Sequence, residues 1–185
     1  MSIPQPPKPA KLIVGFFLKE KSLAADVARD LSMRLGPVET ISPWLKFDFT
    51  SYYEKEMGAP LYRRLMVFRK HVQQTRLVAV KHITNELEIK YQRGGGRQVN
   101  IDPGYLLPER LVLATGKNFT HRIYIGEGVY ADLTLIYQKG AFRTLPWTYP
   151  DYADRRLIDF LTLVRNKYMV ELKKTKNRSD PSSPA

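Results

Sequence analysis

The sequence predicts an α+β protein built on a mainly antiparallel sheet, and three observations carry that prediction. Apolar residues recur about every four positions in three stretches, 23–35, 77–91 and 152–168, as on one face of a helix. Between residues 94 and 145 the pattern changes to short β-rich runs separated by turn residues. Hairpin signals at Gly126-Glu127-Gly128 and Lys139-Gly140 join runs rich in Ile, Val, Tyr and Leu, which favours antiparallel pairing.

Taken in order, residues 1–10 hold four prolines and little to bury, and read as a flexible, extended lead-in. Residues 11–18, KLIVGFFL, are the nearly continuous apolar run expected of a central strand buried on both faces. Ser22 is placed to cap the helix that follows, whose stripe of Leu23, Val27, Leu31 and Leu35 stops at Gly36-Pro37. A second strand over 38–49 is interrupted at Ser42-Pro43, and a short helical turn over 50–57 closes at Gly58. A third strand spans 62–71, and Thr75 opens a helix with Leu77, Val80, Thr84, Leu87 and Tyr91 in one stripe. Asp102-Pro103-Gly104 has turn chemistry, since proline presets φ and glycine accepts a positive φ. Asp151 is placed to cap a last helix with Leu157, Phe160, Leu161, Val164 and Tyr168 facing inward. Residues 11–172 are therefore expected to form a single α+β domain, and the polar, basic residues 173–185 a disordered tail.

The first six elements run β-α-β-β-α-β, the split-βαβ or ferredoxin-like order, extended by an antiparallel meander and the final helix. Helices would then cover one face of the sheet. A flavodoxin-like parallel sheet is the alternative, and the hairpins of the second half speak against it.

Composition narrows the classes of function. With no cysteine among 185 residues, disulfides, zinc ribbons and thiol nucleophiles are excluded, and a reducing cytoplasm is the natural compartment. No apolar run approaches the roughly 20 residues that span a bilayer, and the N-terminus has no signal-peptide core, so no membrane partner is expected. The net charge is +12. Lys173, Lys174, Lys176 and Arg178 against Asp180 give the tail a net +3 and Lys8 adds one, which leaves +8 on the body. Such a body attracts nucleic acid, phosphorylated small molecules or acidic partners without distinguishing them.

Four strings carry a family resemblance: FDFTSYYEKEMG (47–58), VNIDPGYL (99–106), HRIYIGEGVYADLTLIY (121–137) and LPWTYPDY (145–152). Together they resemble the bacterial family catalogued as domain of unknown function 4416, over nearly the whole chain apart from its ends. The resemblance implies a bacterial-type, single-domain, cytoplasmic protein. It brings no activity, substrate, cofactor or catalytic residue with it.

The candidate site residues come from register. If the hairpin is centred on Glu127, Arg122 lies across from Asp132, Tyr124 from Tyr130 and His121 from Leu133. Alternation then puts Ile123, Ile125, Val129, Ala131, Leu133 and Leu135 on one face with His121. Arg122, Tyr124, Tyr130, Asp132 and Thr134 share the other, joined by Arg143 from the next hairpin and Arg110 from the preceding run. Three arginines, an aspartate and two tyrosines offer bidentate clamps and stacking surfaces for phosphate or carboxylate. A solvated sheet face with cross-strand ion pairs accounts for the same residues.

Other motifs are less specific. Gly94-Gly95-Gly96 with Arg97 follows a helix and precedes a strand, the reverse of a phosphate loop, and reads as a helix C-cap and flexible turn. Arg63, Arg64, Arg69, Lys70 and Arg76 with Tyr62 and Phe68 interleaved could track a nucleic-acid backbone, although alternation sends half of them to each face. His71 and His82 have no ligand cluster beside them, so no metal site is expected. Three functions remain in competition. The first is an anion-binding module on the arginine-tyrosine face. The second is an enzyme drawing acid–base groups from Asp102, His121, Glu127 and Asp132. The third is a docking protein presenting the rigid PWTYPDY strip. A concave pocket joining Arg122, Asp132 and Asp102 would favour the second.

Overall fold

A computed structural model describes residues 1–179 of the chain. The elements are β1 (Ala10–Leu18), α1 (Ala24–Leu35), β2 (Val38–Ile41), β3 (Leu45–Phe47), α2 (Glu54–Met57), β4 (Leu61–Val72) and α3 (Leu77–Lys90). There follow β5 (Gln92–Arg93), β6 (Gly96–Arg97), β7 (Val99–Leu107), β8 (Arg110–Thr115), β9 (Arg122–Gly126), β10 (Val129–Gln138), β11 (Ala141–Thr144) and α4 (Arg155–Ser179). The result is a mixed α+β protein with one large antiparallel sheet, strand order β11-β10-β8-β7-β1-β4-β2, with β3 also on β4 and β9 also on β10. Residues 1–9 carry no regular structure.

The central strand explains the layering. All nine residues of β1 are buried, and its side chains alternate between two cores. Leu12, Val14, Phe16 and Leu18 pack with Val27 and Leu31 of α1 and Val80 and Leu87 of α3. Ile13, Leu65 and Val67 point the other way and pack with Leu157, Leu161 and Val164 of α4. Helices therefore cover both faces of the sheet, not the one face expected. The reason lies in β1 itself, because a strand apolar on both sides needs cover on both. The second face also buries Lys11, whose Nζ lies 3.1 Å from Glu39 Oε2 and 2.6 Å from Glu171 Oε2 of α4.

Several local expectations are corrected. Ser22 lies in a 3-10 turn (Lys21–Leu23) and makes no capping bond, so α1 begins after that turn. Gly94 and Gly95 take positive φ in the turn of the β5–β6 hairpin, not at a helix C-cap. Asp151 lies in a 3-10 turn (Pro150–Ala153), and Asp154 Oδ1 instead accepts the Arg156 N–H at 2.8 Å at the start of α4. Helix α4 continues to Ser179 through residues expected to lack regular structure, while 180–185 of the expected tail lie outside the described residues. No described helix is long and apolar enough to cross a membrane.

The main correction concerns Asp102-Pro103-Gly104, which is no turn but the middle of β7, between β1 and β8. Pro103 pairs with Val14. Proline has no N–H, so this must be a non-hydrogen-bonded pair, and the proline nitrogen faces β8. The β7–β8 ladder runs from Leu107↔Arg110 to Gly104↔Leu113 and stops there, one residue short of Pro103. Gly104 is demanded by contact, since a Cβ there would stand 2.5 Å from the Val112 carbonyl oxygen.

Candidate functional site

Beyond Gly104↔Leu113 the two strands separate, and the sheet divides into a crevice of about 820 Å³. The peptide of Ile101, two residues before Pro103, also faces the missing neighbour. Helix α3 supplies its partners: Glu88 Oε1 accepts the Ile101 N–H at 2.6 Å, and Lys81 Nζ donates to its carbonyl at 3.3 Å. Burial pushes the Glu88 carboxyl above its ordinary value. Side chains thus take the place of a β-strand, and the opening is stable without one.

Across the second face, cross-strand rows order the inner wall. Asn100 lies beside Phe17, and Phe17 beside Arg63; Asp102 lies beside Gly15 in the next row of that face. Arg63 is buried. Its Nη2 donates to the Tyr152 hydroxyl at 2.7 Å, its Nη1 is paired with Asp151, and Asp102 Oδ2 lies 3.6 Å from Nη2. Its guanidinium carbon sits 4.3 Å over the Tyr152 ring. Gly15 makes room for this group, since a Cβ there would meet Arg63 Nη2 at 3.0 Å and the Tyr152 hydroxyl at 3.2 Å. Among the described residues Arg63 Nε and Asn100 Nδ2 have no hydrogen-bond partner. Arg97 holds Glu56 through two bonds of 2.7 and 2.8 Å and donates to Asn100 Oδ1 at 2.7 Å.

The opposite wall comes from the meander. Arg122 pairs with Asp132 in the expected register, Nε donating to Oδ2 at 2.9 Å, and Tyr124 lies opposite Tyr130. Arg122 also donates to the Lys117 carbonyl at 3.0 Å and to the Tyr149 hydroxyl at 2.9 Å. His121 Nε2 lies 3.2 Å from Asp132 Oδ2, and its ring stacks on Trp147 at 4.9 Å. Aromatic rings complete the enclosure: Phe17 and Phe47 stack at 4.2 Å, with Tyr53 against them. Burial pushes the Tyr53 phenol up to about 12 and raises that of Tyr152, so both stay uncharged at neutral pH.

The expected site residues divide between the two faces. Asp102, Arg122 and Asp132 line the crevice together. Arg110 and Arg143 do not join them. Leu133 pairs with Val112 but Leu135 pairs with Leu111, so Thr134 is an extra, bulged residue that reverses the alternation. Beyond the bulge, Ile136 lies beside Arg110 and Arg143, which share the face opposite to Asp132. The same bulge sends Leu135 to the α4 core and leaves Leu133 with the α3 side. Ile123 and Ile125, expected on the apolar face of the meander, are exposed, as is Tyr124. His121 backs Asp132 without lining the crevice, and Glu127 stands in the β9–β10 turn with its side chain 75% exposed. Among the described residues no group of three His, Asp or Glu side chains could hold a metal ion.

Sequence reasoning missed Lys81, Glu88 and Asn100 as site residues and counted Arg63 only within a basic run. A signal existed for Arg63: it is in phase with Leu61, Leu65 and Val67, all buried, so it had to enter the core side of β4. Lys81 and Glu88 reach the site only because α3 crosses the split in the sheet, and Asn100 through its cross-strand row with Phe17 and Arg63.

Fold and site together define a mixed α+β protein with a ligand-sized crevice where a central antiparallel sheet divides. The chain belongs to the family described as a domain of unknown function (DUF4416), whose model matches residues 8–168. No curated protein and no solved structure shows a significant match to it.

Proposed function

We propose that this chain binds a small organic ligand in the crevice between β7 and β8. The observation that carries the reading is the convergence of Arg63, Asp102, Arg122 and Asp132, from four strands, on one cavity of about 820 Å³. Ligand sites are commonly concave, aromatic-lined and supplied with a few convergent polar groups, at volumes of roughly 300–1,000 Å³. The charge balance supports a small polar ligand over a polyanion. Five basic and four acidic side chains line the cavity, and Arg63, Arg97 and Arg122 each have a carboxylate partner. An anionic or phosphorylated group would therefore be held at the mouth, where the exposed Lys117 lies 4.9 Å over Tyr52. The arginine-tyrosine face considered from sequence contributes Arg122 and Asp132 to this site. Nucleic-acid binding rests on net charge and on a basic run whose Arg63 and Phe68 are buried.

A second reading, an enzyme, is favoured by the meeting of Asp102 with Arg122 and Asp132 in one pocket. The Asp102 carboxylate is about one-third exposed and its nearest cation, Arg63 Nη2, stands at 3.6 Å, longer than a hydrogen bond. It is a group in position for acid–base work on a bound molecule. The strand order β7-β1-β4-β2 with α1 and α3 on one face supports a split-βαβ core, extended by the meander. The cysteine-free sequence supports a cytoplasmic setting.

The test is a fragment screen by ligand-observed NMR on the full chain, with hits mapped by amide shifts. Hits should perturb Asn100, Asp102, Gly116 and Lys117. Hits confined to other surfaces, or none at all, would sink the reading.

A further inference from the structure

We infer that the crevice takes a planar nitrogen heterocycle of the nucleobase type, read along one edge by Asn100 and Asp102. The inference rests on the crevice being a ligand site. Asn100 and Asp102 are two residues apart on β7, so their side chains project from one face, roughly 7 Å apart at the backbone. Asn100 is 5% exposed. Arg97 Nη1 donates to its Oδ1 at 2.7 Å, which fixes the amide and leaves Nδ2, buried in the wall of the crevice, without a partner among the described residues. A buried amide donor without a partner carries a desolvation cost that a ligand acceptor would remove.

Asp102 supplies the complementary half. Its carboxylate accepts only, and no protein donor stands within hydrogen-bond distance in the contacts it makes to Arg63. Strand β7 therefore carries a donor and an acceptor at successive positions of one face, on a rigid element whose side chains need only converge on a bound ring. The matching ligand edge carries an acceptor, a ring carbonyl or ring nitrogen, next to an N–H donor. That alternation is the hydrogen-bonding edge of a nucleobase. A carboxylate or phosphate offers acceptors alone and would meet Asp102 with repulsion.

The walls fit a flat ring. The Phe17–Phe47 stack and Tyr53 line one side, and Tyr149, held by Arg122, stands on the other. Phe49, Tyr52 and Tyr149 are exposed large aromatics on the lining, so π-faces are available to a ring entering from the mouth. Arg63 Nε, buried and without a partner, offers one more donor at the inner end.

The experiment is titration calorimetry and saturation-transfer NMR on the full chain with four nucleosides, ribose, benzoate and inorganic phosphate as probes. At least one nucleoside binds, and its free base competes with it while ribose does not. In Asp102→Asn the acceptor becomes an amide, and affinity for that nucleoside falls about tenfold or more, as expected when a read polar group loses its partner. Unchanged far-UV circular dichroism and melting exclude unfolding as the cause. Asn100→Asp weakens the same nucleoside by replacing its donor with an acceptor. If ribose, benzoate or phosphate binds at the crevice and no nucleoside does, the heterocycle assignment is overturned while the crevice remains a site. If no probe binds and the fragment screen also finds nothing there, both fall. A nucleoside affinity unchanged in both variants likewise overturns the assignment.

Discussion

Glu88 on α3 accepts the N–H of Ile101 on β7 at 2.6 Å, doing for that peptide what a neighbouring strand does elsewhere. Removing the acceptor leaves a buried donor unpaired. Glu88→Ala should therefore cost about 1–3 kcal/mol in chemical denaturation, with loss of protection at the Ile101 amide in hydrogen exchange. Glu88→Gln keeps an acceptor, and its comparison with the native chain has a pH signature. Burial raises the native carboxyl above its ordinary 4.5, so the folded state holds that proton more tightly than the unfolded one. Native stability then falls as pH rises from 4.5 through the raised value, and the glutamine variant escapes that fall. A glutamine variant with the same pH profile as the native chain would contradict this account.

Gly104 tests whether the end of the β7–β8 ladder is fixed by contact. A methyl group there meets the backbone of Val112 at 2.5 Å, and backbone cannot rotate away. Gly104→Ala should lose more than about 2 kcal/mol or fail to fold. Gly116→Ala, with nothing within 4 Å of the new carbon, should stay within about 0.5 kcal/mol of the native chain. Equal melting temperatures for the two variants would remove the contact argument.

Arg122 and Asp132 form a cross-strand pair with side chains only 7% and 6% exposed. Surface pairs are worth about 1 kcal/mol or less, but a pair this enclosed leaves a stranded charge when one partner goes. Arg122→Ala should cost on the order of 3 kcal/mol. The double variant Arg122→Ala with Asp132→Ala should recover part of that loss, and a thermodynamic cycle reads the difference.

Acid should destabilise the chain through particular carboxylates. Asp30 of α1 is buried, and hydrogen bonds from Lys90 and Tyr91 hold it below its ordinary 3.8. A depressed folded value contributes stability that is present above 3.8 and lost as pH falls through the folded value. Asp30→Asn should flatten the acid limb of a stability–pH curve while lowering the neutral plateau. An unchanged acid limb would assign the transition to other groups, among them Glu171 and Asp154, also held low.

The sequence by itself determined much of this protein. The nearly continuous apolar run over 11–18 made β1 legible, period-four stripes made α1, α3 and α4 legible, and the symmetric Gly-Glu-Gly turn gave the Arg122–Asp132 register. These signals are local, because side-chain period and turn chemistry act over a few residues. Tertiary structure decided the rest. Asp102-Pro103-Gly104 has the composition of a turn, yet pairing with β1 holds all three extended, and the β8 ladder stops at Gly104, where the sheet opens instead of the chain reversing. Thr134 carries no mark of a bulge, yet its extra place against β8 moved Arg110 and Arg143 away from Asp132. Lys81 and Glu88 joined Arg63 on the crevice only when α3 crossed the opening, and Asn100 joined it through the β7–β1–β4 row. Which residues share a site depends on strand partners and crossing helices far away in the chain, and no local pattern encodes those distances.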